Sequence, residues 1–193
     1  YESELTIMVA KDADKNLAYM PVVENVFVDQ ELFETIVPAR IKPAVMAEVQ
    51  RIAELVGNAL DYVGVFGIEF FLTASDTLYV KRLVPGPHTS GNIFNEATNV
   101  SQYELHLRTL CHWPLPKIKL ISPAVSVTIP KRLITDTFTQ VLIKPDWHFY
   151  YYLDNAQNDN DRAGHVTILT TDTRRTLEQI YDTEIWNQPP KKG

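Results

Sequence analysis

The sequence predicts an α+β fold in two parts. Strand-length apolar runs joined by turn residues fill the first stretch and recur over Val63–Val84. One segment starting at Pro43 repeats its apolar residues at helical spacing. Beyond Pro116 the pattern changes to short strands, which divides residues 1–116 from a small β-rich unit over 117–193.

Tyr1 leads straight into an alternating strand over Glu4–Lys11, with neither an initiator Met nor a signal peptide before it, so the sequence reads as a piece of a longer chain. Turn residues at Asp12–Asn16 lead to a second strand over Leu17–Val26, and Leu32–Val37 is expected to pair with it. Pro43 suits a first helical position. Val45, Val49, Ile52, Ala53, Val56 and Leu60 then put one helix face on a sheet. A hairpin follows, Val63–Thr73 and Leu78–Val84, and it ends in the polar loop Pro85–Gly91. Ser101 and Glu104 form a capping box ahead of a helix to about Cys111, and Trp113-Pro-Leu-Pro stops it. The later part predicts strands at Ala124–Ile129, Phe138–Ile143, Trp147–Leu153 and His165–Leu169. Between the last two lies an Asn- and Asp-rich loop, Asp154–Asp161. Thr171 or Asp172 caps a final helix with Leu177, Ile180 and Tyr181, ahead of a loose tail from Pro189.

Composition excludes several classes. A net charge of −6 offers no basic surface for nucleic acid. No apolar run reaches the roughly 20 residues of a membrane helix. The single Cys111 rules out an internal disulfide and a Cys-rich zinc site; it reads as a small hydrophobe on a helix in a reducing, cytoplasmic compartment. Glu69 is the residue to explain, because a carboxylate inside an apolar strand costs several kcal/mol unless a metal, a cation or donors compensate it.

The segments Tyr19-Met-Pro-Val-Val-Glu-Asn-Val, Pro38-Ala-Arg-Ile, Leu60-Asp-Tyr-Val-Gly-Val, Ile68-Glu-Phe-Phe, Pro87-His-Thr-Ser-Gly and Ser101-Gln-Tyr-Glu-Leu-His-Leu-Arg occur in that order. Together with Ser122-Pro-Ala-Val-Ser-Val and Arg162-Ala-Gly-His-Val they resemble the 5-(carboxyamino)imidazole ribonucleotide synthase family of ATP-grasp enzymes. The resemblance implies the C-terminal lobe of an ATP-grasp fold followed by a small β-rich domain. It also implies the family's chemistry. ATP phosphorylates bicarbonate, and the carboxyphosphate carboxylates the amine of aminoimidazole ribonucleotide in purine biosynthesis. Two Mg²⁺ ions neutralise the phosphates during the transfer. Partners are then small molecules, with a homodimer as the expected assembly.

Carried over by position, the resemblance makes Glu69 a magnesium ligand and Glu4 a contact of the nucleotide ribose. Lys81 and Arg82 fall on the nucleotide side. His88 and Ser90 are the catalytic candidates. Lys11, His88, Ser90, Gly91 and Arg162 are the substrate-binding ones. Several positions depart from the family pattern. Phe27 replaces a nucleotide-contacting His, and Lys81-Arg82 replaces Asn-Glu, whose Glu is the second magnesium ligand. Gly86 replaces an Arg, Thr89 an Asn and Asn92 a His, while Asp154–Arg162 keeps one basic residue of a phosphate-binding stretch. A guanidinium about 4 Å from a dication repels it by several kcal/mol even at an effective dielectric of about 20. Arg82 is therefore expected to pair with Glu69 across the hairpin, and turnover of ATP is expected to be impaired.

Other residues read as structural. His106 and His112 suit packing or surface roles, His165 a structural hydrogen bond, and Trp147–Tyr152 core or interface. Glu104 and Arg108 suit an exposed i,i+4 pair. Two non-ligase readings stand beside the enzyme: a degenerate module for ligand binding or regulation, and a domain for oligomerisation.

Overall fold

A computed structural model describes residues 3–152, 158 and 161–186. Its frame is one antiparallel sheet of nine strands: β1 (Ser3–Lys11), β2 (Leu17–Tyr19), β3 (Val23–Val28), β4 (Glu31–Val37), β5 (Gly64–Leu72), β6 (Leu78–Pro85), β7 (Ala124–Pro130), β8 (Trp147–Tyr151) and β9 (Arg162–Leu169). They lie in the order β6-β5-β1-β3-β4-β7-β9-β8, with β2 paired to β1. The expected second strand is two strands, because Met20-Pro21-Val22 interrupts the ladder between β2 and β3.

Side chains alternate across the sheet and so define two faces. Leu5, Ile7 and Val9 of β1 join Phe66, Ile68 and Phe70 of β5 under α1 (Pro43–Ala59). Pro43 opens this helix, and Val45, Val49 and Ala53 are buried as the spacing predicts. Lys11 closes its other end: the buried ammonium donates to the carbonyls of Gly57 (2.8 Å) and Leu60, the favourable place for a cation near a helix C-terminus. The opposite face of β1 and β5 packs Met8, Ala10 and Val65 against α2 (Phe94–Ala97) and α3 (Gln102–Leu110). Ser101 caps α3 by accepting from Glu104 N, and Arg108 pairs with Glu104. Cys111 follows α3 in an exposed position, not a packed one.

The later region has its own core, Val125, Val127, Ile129, Trp147, Val166 and Ile168, under α4 (Ile134–Ile143) and α5 (Thr173–Tyr181). The expected strand at Phe138–Ile143 is thus part of a helix. Its β-branched and aromatic residues imitate a strand, but Thr137 and Gln140 are the buried positions, and Phe138, Val141, Leu142 and Ile143 face outward. Asp172 caps α5 as expected. Most of Asp154–Asp161 and the tail from Pro189 lie outside the described residues. The chain crosses from α3 to β7 at residues 111–123, yet β4 pairs directly with β7, so the sheet runs unbroken through both predicted units.

Candidate active site

Glu4 on β1 and Glu69 on β5 lie on the sheet face away from α1, with Glu69 opposite Thr6. Both are buried. β6 is the edge strand beside them, and its register shifts where Glu69 pairs with Arg82 and Phe70 pairs with Val80. Lys81 is the extra residue of this bulge. A bulge re-aims side chains, and here it lets two consecutive residues reach the same carboxylates.

Arg82 grips Glu69 with both arms of its guanidinium, Nε to Oε2 at 2.7 Å and Nη2 to Oε1 at 2.9 Å. His88 Nε2 lies 2.9 Å from Glu69 Oε1, and Lys81 Nζ lies 3.6 Å from Oε2. Lys81 also donates to Glu4 at 2.8 Å and sits over the rings of Phe27 (4.7 Å) and Phe71 (5.1 Å). Burial pushes the Glu69 carboxyl up, but hydrogen bonds from His88 and Arg82 and the cationic charge beside it outweigh that and hold it at about 2.

The loop after β6 brings His88 to this cluster. Gly86 takes φ +87°, a conformation that disfavours any L side chain, and its N–H donates to Val65 O and Tyr62 Oη. His88 precedes a 3₁₀ turn over Thr89–Ile93. Its Nδ1 accepts from Ser90 N at 3.2 Å, which leaves Nε2 as the N–H aimed at Glu69. Gln102, fully buried on α3, clamps the same residue: its amide accepts from His88 N (2.8 Å) and donates to His88 O (2.7 Å). Gly91 is the other half of that clamp, because a Cβ there would overlap the Gln102 amide. Ser90 is fully buried, and its hydroxyl has no hydrogen-bond partner among the described residues.

Further along, Asn92 accepts from Gln102 (3.2 Å) and Tyr103 (2.5 Å) and donates to Tyr152 Oη (3.2 Å). Tyr152 Oη also bonds His165 Nδ1. Arg162 opens β9 in an exposed position. Burial pushes the Tyr152 phenol up to about 12 against the Arg162 charge, whereas burial and then that charge both lower His165. The structure thus unites Glu4, Glu69, Lys81, Arg82 and His88, sets Ser90 and Gly91 beside them, and places Lys11 at the end of α1. His106 has a structural role, accepting from Val65 N at 3.0 Å.

Sequence reasoning missed a buried polar row beneath the loop. Asn25 of β3 donates to Thr6 (2.8 Å) and accepts from Thr35 of β4 (3.1 Å). Thr35 pairs in register with Ser126 of β7, which in turn pairs with Thr167 of β9. All five are buried. The signal was polar residues at the inward positions of otherwise apolar strands, and it has meaning only once the register is known.

Among the described residues no three His, Cys, Asp or Glu side chains gather as a metal-binding group. Mg²⁺ requires an octahedron of oxygens. Here Glu69 Oε1 already receives two donors, Oε2 a third, and Glu4 is held by Lys81. The donor set does not fit the metal.

The ATP-grasp domain model matches residues 1–103. N5-carboxyaminoimidazole ribonucleotide synthase of Staphylococcus aureus (strain MRSA252) is 32% identical over 184 residues, covering 93% of this chain and 48% of that protein. The crystal structure of an ADP complex of N5-carboxyaminoimidazole ribonucleotide synthetase superposes with a TM-score of 0.94 at 30% identity, covering 99% of this chain and 51% of that one. The Aspergillus clavatus N5-carboxyaminoimidazole synthase, crystallised with ADP and 5-aminoimidazole ribonucleotide, gives 0.87 at 25% identity, covering 95% and 51%. The chain spans about half the length of the relatives it matches. By the matched domain and the superposed sheet alike, the chain belongs to the ATP-grasp family, and its relatives there are the N5-carboxyaminoimidazole ribonucleotide synthases.

Proposed function

We propose that this chain is the C-terminal part of an ATP-grasp carboxylate–amine ligase homologue of purine biosynthesis, and that by itself it does not turn over ATP. ATP, bicarbonate and aminoimidazole ribonucleotide are the small molecules of that chemistry. One observation carries the reading: the two carboxylates of the nucleotide side, Glu4 and Glu69, and the imidazole of the carboxyl-transfer side, His88, meet in one cluster. Ser90, whose buried hydroxyl has no partner among the described residues, and Gly91 stand next to that imidazole as the substrate-binding candidates. Arg162 supplies the charge for the ribonucleotide phosphate. A cytoplasmic homodimer belongs to the same reading, and the outward apolar face of α4 supports it.

Calorimetric titration with aminoimidazole ribonucleotide tests it. The chain is expected to bind the ribonucleotide, and Arg162→Ala to weaken that binding by about tenfold or more, the usual effect of losing a charge-assisted phosphate contact. ATP hydrolysis is expected to stay at background. Absence of ribonucleotide binding would replace this reading with a non-catalytic module, which the Arg82 fork on Glu69 favours.

A further inference from the structure

Of the three departures nearest the carboxylates, Phe27 lies far in sequence from the adjacent Lys81 and Arg82, yet its ring meets the Lys81 ammonium. Lys81 Nζ lies over the Phe27 ring and bridges Glu4 and Glu69, and Arg82 forks onto Glu69 from the next position. Independent drift would leave a carboxylate unpaired or a ring without a neighbour. Instead two anions and two cations balance, and the Lys81 ammonium lies over two aromatic rings. The bulge at Lys81 is what admits both cations to one face.

We infer that the Glu69 centre of this chain takes no divalent cation, because Lys81 and Arg82 are its permanent counter-ions and determine that preference. The inference rests on the ligase reading only for the assignment of Glu69 to a metal position. For a divalent ion to enter, Arg82 would have to release both bonds to Glu69 and remain beside a like charge, while Lys81 gave up Glu4. Both lone pairs of Oε1 are taken, by Arg82 and His88, and the side of Oε2 that Arg82 leaves open faces the Lys81 ammonium 3.6 Å away.

Mn²⁺ titration followed by electron paramagnetic resonance tests this without nucleotide or ribonucleotide, so a failed ligase reading leaves the result interpretable. The chain and its Glu69→Gln variant are expected to deplete the free Mn²⁺ signal equally, whether both bind none or both bind elsewhere. The Lys81→Asn, Arg82→Glu double variant is expected to gain one site at least tenfold tighter than any in the parent, and to lose it when Glu69→Gln is added. Binding by the parent that Glu69→Gln abolishes overturns the inference. So does a folded double variant, checked by circular dichroism, that gains no site.

Discussion

His165 is buried on β9, stacked 4.6 Å from the ring of Tyr150 and bonded through Nδ1 to Tyr152, and its Nε2 has no partner among the described residues. Burial, reinforced by the Arg162 charge, lowers its pKa to about 4. The folded chain therefore holds this ring neutral while the unfolded chain protonates it near 6.5, so stability is full above about pH 6.5 and falls as pH drops towards 4. The loss across that window is roughly 3 kcal/mol, from the free-energy equivalent of the shift. Glu34 and Glu96 run the other way, since burial raises their carboxyls and each gains stability as pH falls. Glu69 acts in a more acid window, because its depressed pKa is a stabilisation lost from about 4.5 down to about 2. Urea unfolding of the parent and of His165→Gln at pH 7 and pH 4.5 separates these effects. The variant should lose much less stability on acidification than the parent; parallel losses would show that His165 does not titrate in this way. Of this, only a structural hydrogen bond was legible in the sequence. The Glu69–Arg82 pair was legible only with the family resemblance. The lone carboxylate asked for a metal, a cation or donors, and the resemblance put Arg82 at a metal-ligand position across the hairpin. The added contacts of His88 and Lys81 were not foreseen.

At the scale of elements, the organising contact is between α3 and the 3₁₀ turn. Gln102 bonds both main-chain groups of His88 and the side chain of Asn92, and Gly91 makes room for it. Gly91→Ala is expected to cost about 1–3 kcal/mol, the usual range for overpacking a buried site. The cost should shrink in a Gln102→Ala background, because the atoms a new Cβ meets there belong to Gln102. Additive losses in urea unfolding of the two single variants and the double would place the strain elsewhere. The turn itself was not legible, since His88 caps it by accepting from Ser90 N, and His is not among the residues that mark a helix start. α4 was misread for the complementary reason. Ile134, Phe138, Val141 and Ile143 favour strands, but the helix is selected by Leu133, Thr137 and Gln140 falling on one buried stripe. α1 and β5 were legible because sequence pattern and burial agree there, and the exposed edge strand β6 because its apolar run follows turn residues after β5.

At the scale of the molecule, the composition change at Pro116 marks a change of core but not of sheet. Glu34, Thr35, Ile36 and Val37 of β4 pair with Val127, Ser126, Val125 and Ala124 of β7. Side chains tie the same seam: Thr128 Oγ1 donates to Leu32 O at 2.7 Å, Tyr181 Oη to buried Glu34, and Asn92 reaches Tyr152 over the other face. The linker is pinned as well, with Lys119 N donating to Asn99 Oδ1 and Ile121 N to Ala97 O. Cutting here would expose a row of strand hydrogen-bonding groups and leave a carboxylate on β4 without its phenol. A single cooperative thermal transition is therefore expected for the whole chain, with calorimetric and van't Hoff enthalpies equal. Tyr181→Phe strands the Glu34 carboxylate, so it should lower stability by about 1–3 kcal/mol, the range for an orphaned buried polar group. It should move that one transition downward without splitting it. Two resolved transitions, or a Tyr181→Phe shift confined to one of them, would show that the two cores unfold independently. One transition that Tyr181→Phe moves intact would mean that the seam transmits to β4 and the Glu69 face whatever happens to the small C-terminal core.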